Sequence, residues 1–134
     1  MILVDTSVIM YAAGAPHPHK AASVAFLTAV AKGDVDAAID AEVLQEILHR
    51  YRAIGRWEDG RRAYDLARRV MPDVFDVSGE TMDAAREWMD RYPGLSARDA
   101  VHVAVAVHLD AQAICTWDRD FDPVREVRVR RPGG

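Results

Sequence analysis

An α/β fold built on a central, mostly parallel sheet is the class this sequence predicts, and three stretches predict it. Ile2-Leu3-Val4 is a short apolar run that stops at an acid, Asp5, with helix-start chemistry directly after it. A run that needs cover on both faces suits a strand of a parallel sheet. Ala113-Ile114-Cys115 repeats the pattern late in the chain and ends in the acidic turn Thr116-Trp117-Asp118-Arg119-Asp120-Phe121-Asp122. Between them, Ala97 to Leu109 is a helical stretch apolar nearly all round. A helix without a polar face is a buried one.

Placed first and followed by a helix, Ile2–Val4 is expected to be the central strand. Asp5 would then enter the crevice outside the strands' carboxyl ends, where open sheets of this kind bind ligands. Asp5 has a second reading, as the N-cap of a helix from Thr6 to Ala13, and both stay open. Gly14-Ala15-Pro16-His17-Pro18-His19 breaks that helix. His17 and His19 have no third ligand at metal-binding spacing, which makes them loop residues. Pro18 suits the first turn of the next helix, through Ala22, Val24, Leu27 and Val30 to a stop near Gly33. A second strand falls within Asp34 to Ile39. Asp40 then caps a helix from Ala41 to about Ile54, with Val43, Leu44, Ile47, Leu48, Tyr51 and Ile54 on one arc. Glu42 is expected opposite that arc, in water, and Glu46 at its edge, within reach of the crevice.

Gly55 ends that helix, and Trp57 to Met71 forms another with arginines on its exposed side. Pro72-Asp73 turns the chain into a strand over Val74 to Val77, with Asp76 outward. Gly79 to Tyr92 is an amphipathic helix whose core stripe is Met82, Ala85, Trp88 and Met89, closed by Pro93-Gly94. Ser96 stands three residues ahead of Asp99, a capping-box spacing. Asp99 can therefore cap the buried helix and face the crevice at once, with His102 one turn on. Val127 and Val129 make a final edge strand before an Arg-Pro-Gly-Gly tail expected to be disordered.

The 134 residues suffice for one packed core, and residues 1–134 are expected to form a single domain without repeats or linkers. Half of them are apolar and 28% are charged, an ordinary globular balance. The lone cysteine, Cys115, excludes an intramolecular disulfide and a cysteine-based zinc cluster, which favours a cytoplasmic location. Asp5 interrupts the first apolar run too early for a signal peptide, and no segment approaches the ~20 apolar residues of a membrane span. The net charge of −4 argues against a nucleic-acid coat protein but leaves room for an enzyme acting on nucleic acid. Positive charge is almost all arginine, clustered from Arg50 to Arg69 and again from Arg125 to Arg131. Guanidinium forks match phosphate. Glu58, Asp59 and Asp65 among the middle arginines favour the plainer reading, a solvated helix face.

Four acids stand out: Asp5 and Asp118 after strand ends, Asp99 opening the buried helix, and Glu46 beside an apolar face. In a parallel sheet these positions can converge at one end. Clustered carboxylates raise one another's pKa unless a cation intervenes, and oxygen ligands select hard ions such as Mg²⁺ or Mn²⁺. An ion of this kind polarises a phosphodiester and activates water for its hydrolysis. No Ser–His or Cys–His pair competes.

Val4-Asp5-Thr6-Ser7, then Val43-Leu44-Gln45-Glu46-Ile47-Leu48, then Ala97-Arg98-Asp99-Ala100-Val101-His102-Val103-Ala104-Val105-Ala106, then Thr116-Trp117-Asp118-Arg119-Asp120-Phe121 form an ordered set. In this order they resemble PIN-domain ribonucleases, most closely the VapC toxins of bacterial toxin–antitoxin pairs, over essentially the whole chain. The resemblance implies a PIN-like three-layer α/β/α sandwich. It implies a Mg²⁺/Mn²⁺-dependent endoribonuclease that cleaves structured cellular RNA, a homodimer, and inhibition by a cognate antitoxin. It makes Asp5, Glu46, Asp99 and Asp118 the catalytic, metal-holding quartet, Asp120 an auxiliary acid, and Thr116 the residue that orients a water or phosphate beside Asp118. Asp40 stands where many relatives carry Ser or Thr, a departure that bears on substrate contacts and leaves the quartet intact. Arginines at the crevice rim, among them the pairs Arg61/Arg62 and Arg68/Arg69, would hold the RNA backbone. Two other functions compete. A non-catalytic PIN-like interaction module predicts eroded acids. An Asp5-nucleophile phosphoryl-transfer or receiver-like domain needs a late lysine, whereas the only lysines are Lys20 and Lys32.

Overall fold

The strands of the computed structural model, which describes residues 1–134, are β1 (Ile2–Val4), β2 (Ala37–Asp40), β3 (Val74–Phe75), β4 (Ala113–Cys115) and β5 (Val129–Arg130). They lie in the order β3-β2-β1-β4-β5, and every neighbouring pair is parallel. The helices are α1 (Thr6–Ala13), α2 (Lys20–Ala31), α3 (Ala41–Ala53), α4 (Trp57–Val70), α5 (Gly79–Arg91) and α6 (Ala97–His108), with a 3₁₀ turn at Arg119–Phe121.

Side chains alternate across a strand, and here the alternation divides the core in two. Ile2, Val4, Ile39 and Cys115 pack on one face with α1 to α4. Leu3 and Ile114 pack on the other with α5, α6 and the segment Phe121 to Val127. The result is the three-layer α/β/α sandwich with a parallel sheet that the sequence and its resemblance predict. β1 is central, as expected. From it the chain runs outward through β2 to β3 and then returns to the other side as β4. Strand order thus reverses between β1 and β4, and the crevice at their carboxyl ends is the usual ligand position in such folds.

Asp99 to Ala106 are all buried, so α6 has no water-facing side over those residues, in keeping with its composition. Cys115 is fully buried, and burial pushes its thiol up to about 12. It is a core residue and an inert one. α4 sits so close to α3 that a Cβ added at Gly60 would lie 2.5 Å from the Cβ of Tyr51.

Some local expectations give way. α2 starts at Lys20, leaving Pro18 in the preceding turn. The buried arc of α3 is only Val43, Ile47 and Tyr51, while Leu48 and Ile54 are exposed. On α5, Ala85 is buried and Thr81, Ala84 and Trp88 half-buried, but Met82 and Met89 face outward. α6 covers only one narrow side of that helix, and the methionines, seven residues apart, fall beyond it. The tail is packed as far as Pro132. The Arg131 guanidinium donates to both carboxylate oxygens of Asp122, at 2.8 and 2.9 Å, and to the Thr116 carbonyl at 3.1 Å, and Pro132 is buried. No helix is long and apolar enough to cross a membrane.

Candidate metal centre

Asp5 follows β1 and divides its two oxygens between two tasks. Oδ2 accepts from the Ser7 hydroxyl at 2.7 Å, the Ser7 amide at 3.4 Å and the Thr116 hydroxyl at 2.7 Å. Capping α1 therefore occupies one oxygen, and Oδ1 is left to face the crevice. The two readings of Asp5 are compatible. Thr116, buried at the end of β4, joins the halves of the switch point: its hydroxyl donates to Asp5 and accepts from the Asp118 amide at 2.9 Å. Asp118 uses one oxygen to cap the 3₁₀ turn through the Asp120 amide, at 2.9 Å. Ser96 accepts from the Asp99 amide at 3.2 Å, the expected cap of α6.

The acids converge as two adjoining triads. Ligand atoms of Asp5, Glu46 and His102 lie within 4.8 Å of one another, and so do those of Asp99, Asp118 and the exposed Asp120. Asp99 couples the two. Burial first, then the charges of Asp5 and Asp118, push its carboxyl up to about 7. A carboxyl this crowded gives up its proton only near neutral pH, about three pH units later than a free one, unless a cation takes the proton's place.

His102, which sequence reasoning left without a role, sits fully buried between these acids. Its Nδ1 is 2.6 Å from Asp40 Oδ2, and its Nε2 is 3.6 Å from both Asp5 Oδ1 and Glu46 Oε1. Burial would depress the imidazole, but the charge and hydrogen bond of Asp40, with Glu46 and Asp5 behind them, outweigh it and raise it well above its ordinary value. Asp40 is fully buried and keeps its expected cap, accepting from the Val43 amide through Oδ1 at 3.2 Å. Glu42 is not in water: it is half-buried beside this group, and burial raises its carboxyl. α3 lies alongside α6, so two of its sides are enclosed where an isolated amphipathic helix has one.

A cleft leads to the site past Ser7, Tyr11, His17, Glu46, Arg50 and Arg98. The rim arginines are thus Arg50 and Arg98, and not the α4 pairs. Arg56 and Arg62 bind Asp59, and Arg61 binds Glu58, all on the exposed surface of that helix. Loop residue His19 stacks on Trp117, ring centroids 3.7 Å apart, with Tyr11 and His17 around them. Lys20 donates to the Gly14 carbonyl.

The PIN-domain family model matches residues 2–127. Ribonuclease VapC13 of Mycobacterium tuberculosis is 43% identical over 122 residues, covering 91% of this chain and 93% of that protein. Among solved structures, M. tuberculosis VapC20, described as a sarcin–ricin-loop-cleaving toxin, superposes with a TM-score of 0.76 at 21% identity, covering 96% of this chain and 99% of that one. A toxin–antitoxin complex from Klebsiella pneumoniae gives 0.68 at 17% identity, with 98% of each chain covered. The two structures establish likeness of fold, and the family model and VapC13 establish kinship: the chain belongs to the PIN-domain family, among its VapC members.

Proposed function

We propose that the chain is a divalent-cation-dependent endoribonuclease, the toxin of a type II toxin–antitoxin pair, cleaving structured cellular RNA. The observation that carries this reading is the convergence of Asp5, Glu46, Asp99 and Asp118 at the topological switch point, where burial and the neighbouring charges raise the Asp99 carboxyl. Strongly perturbed acids in a cleft mark functional sites. The donors fit a cation. Glu46 Oε1 is buried without a hydrogen-bond partner and lies beside Asp5, whose Oδ1 is free.

On this reading Asp5, Glu46, Asp99 and Asp118 hold Mg²⁺ or Mn²⁺, with Asp120 an auxiliary acid at the rim. The bound cation supplies Lewis-acid polarisation of the scissile phosphate and activation of the attacking water. Thr116 acts by position: one hydroxyl fixes Asp5 and the amide of Asp118 together. Arg50 and Arg98 hold the RNA backbone with their guanidinium forks. The ribonuclease name of VapC13, the RNA-cleaving description of VapC20 and the Klebsiella complex support an RNA substrate and an antitoxin partner. The same reading has the protein as a cytoplasmic homodimer of single-domain chains.

The test is cleavage of end-labelled total RNA by the purified protein with Mn²⁺, with Mg²⁺ and with EDTA, beside Asp99→Ala. Discrete products that require the cation and vanish in the variant are expected. No cleavage together with no cation binding would instead favour a non-catalytic interaction module.

A further inference from the structure

One buried group is unused by that reading. His102 is 1% exposed, it is anchored at one ring nitrogen, and its other nitrogen has no partner and points between two carboxylates. A separation of 3.6 Å is too long for a hydrogen bond, so Nε2 is not satisfied by either acid. The spacing suits something placed between them. Atoms bound about 2.1 Å from a common ion stand about 3.0 Å apart at right angles and about 3.6 Å apart at 120°. Nδ1 meets Asp40 Oδ2 at 2.6 Å, the carboxylate–imidazole pairing that fixes the ring and directs the opposite nitrogen at a metal.

We propose that His102 is itself a metal ligand, its Nε2 joining Asp5 Oδ1 and Glu46 Oε1 around a divalent transition ion such as Mn²⁺, with Asp40 the residue that positions the ring. The inference rests on the reading that Asp5 and Glu46 hold a cation, and it changes the donor set from oxygen alone to oxygen and nitrogen. An imidazole ligand favours Mn²⁺ and the later divalent ions of its row over Mg²⁺. Binding balances by releasing the Nε2 proton to solvent as the nitrogen lone pair takes the metal. Asp40 serves both ends of this arrangement, since Oδ1 caps α3 through Val43 while Oδ2 holds the imidazole.

The experiment is pulsed electron paramagnetic resonance on the full chain loaded with Mn²⁺ alone, prepared with natural histidine and with ¹⁵N-histidine. A ¹⁴N coupling at the ion that is replaced by a ¹⁵N coupling on labelling is the expected result. The loop double variant His17→Ala/His19→Ala must retain it, and its loss there would overturn the assignment. Bound Mn²⁺ without nitrogen coupling, as when Nε2 meets only water or keeps its proton, would overturn the role of His102 and leave the carboxylate site standing. No bound Mn²⁺ would overturn both. Asp40→Asn tests the positioning residue. Its amide oxygen preserves the Val43 cap, but its NH₂ then donates to Nδ1 and drives the ring proton onto Nε2. Mn²⁺ affinity by calorimetry should fall by roughly 10–100-fold, the size of effect such partner losses have. An unchanged affinity would refute that role.

Discussion

Asp99→Asn should stabilise the cation-free protein, by an amount that depends on pH. In the unfolded chain the Asp99 carboxyl ionises near 3.8, and in the fold it keeps its proton to about 7. Between those values the folded state binds the extra proton, so stability falls as pH rises through the window. Each pH unit is worth about 1.4 kcal/mol, which makes the full penalty about 4 kcal/mol above pH 7. Asn removes that penalty. It also removes a negative charge from the first turn of α6, where the helix dipole favours one by up to about 1 kcal/mol. The net gain is about 3 kcal/mol at pH 8 and near zero at pH 4. With about 2.1 cal/mol/K of unfolding entropy per residue, that gain raises Tm by about 10 °C. Thermal and urea unfolding of both proteins in EDTA at pH 4, 6 and 8 measures it. Saturating Mn²⁺ should narrow the gap, because the cation offsets the carboxylate repulsion in the parent. A stability difference that does not grow between pH 4 and 8 would refute the crowding argument.

Thr116→Val keeps the side chain's shape but strips the hydroxyl from Asp5 Oδ2 and from the Asp118 amide. Urea unfolding should show a loss of about 1–3 kcal/mol, with weaker cation binding, and a neutral effect would contradict the bridging role. Cation affinity should fall as pH drops below about 7, because Asp99 must shed its proton first. Calorimetry in buffers of different ionisation enthalpy would read that release directly, and binding without proton release would count against it. Arg50→Ala and Arg98→Ala should each lower the salt slope of RNA binding by about 1, while Arg61→Ala and Arg62→Ala, already paired on α4, should leave it alone. Salt titrations of RNA affinity decide between them.

β1, β4 and α6 were legible because burial on all sides writes itself into composition, as unbroken runs of apolar residues. Asp5 and Asp118 were legible because each stands just past such a strand. Asp40 is the last residue of β2, yet its sequence context shows only the cap of α3. Its second partner, His102, lies 62 residues away on a helix of the opposite layer, and no local pattern carries that contact. The available signal was the imidazole itself: a histidine on an otherwise apolar helix needs a buried partner, and a strand-end acid is the natural one. Glu42 and the methionines of α5 failed for a related reason. An amphipathic pattern gives a direction of burial, while the width of the buried arc depends on how many neighbours close on the helix. Among the α4 arginines, Arg61 and Arg62 pair with Glu58 and Asp59 along their own helix, whereas Arg50 and Arg98, which line the cleft, meet only when α3 and α6 are side by side. The packed tail depends on Arg131 reaching Asp122, a pairing between two loops.

On the proposed reading, Asp5, Glu46, Asp99 and Asp118 converge to hold a cation. Crystals of the protein soaked in Mn²⁺ and measured for anomalous scattering test that claim most directly. A peak enclosed by these four side chains, and lost in crystals of Asp99→Ala, is the predicted result. A map with no peak there at saturating Mn²⁺, or with peaks only on surface acids elsewhere, would contradict it.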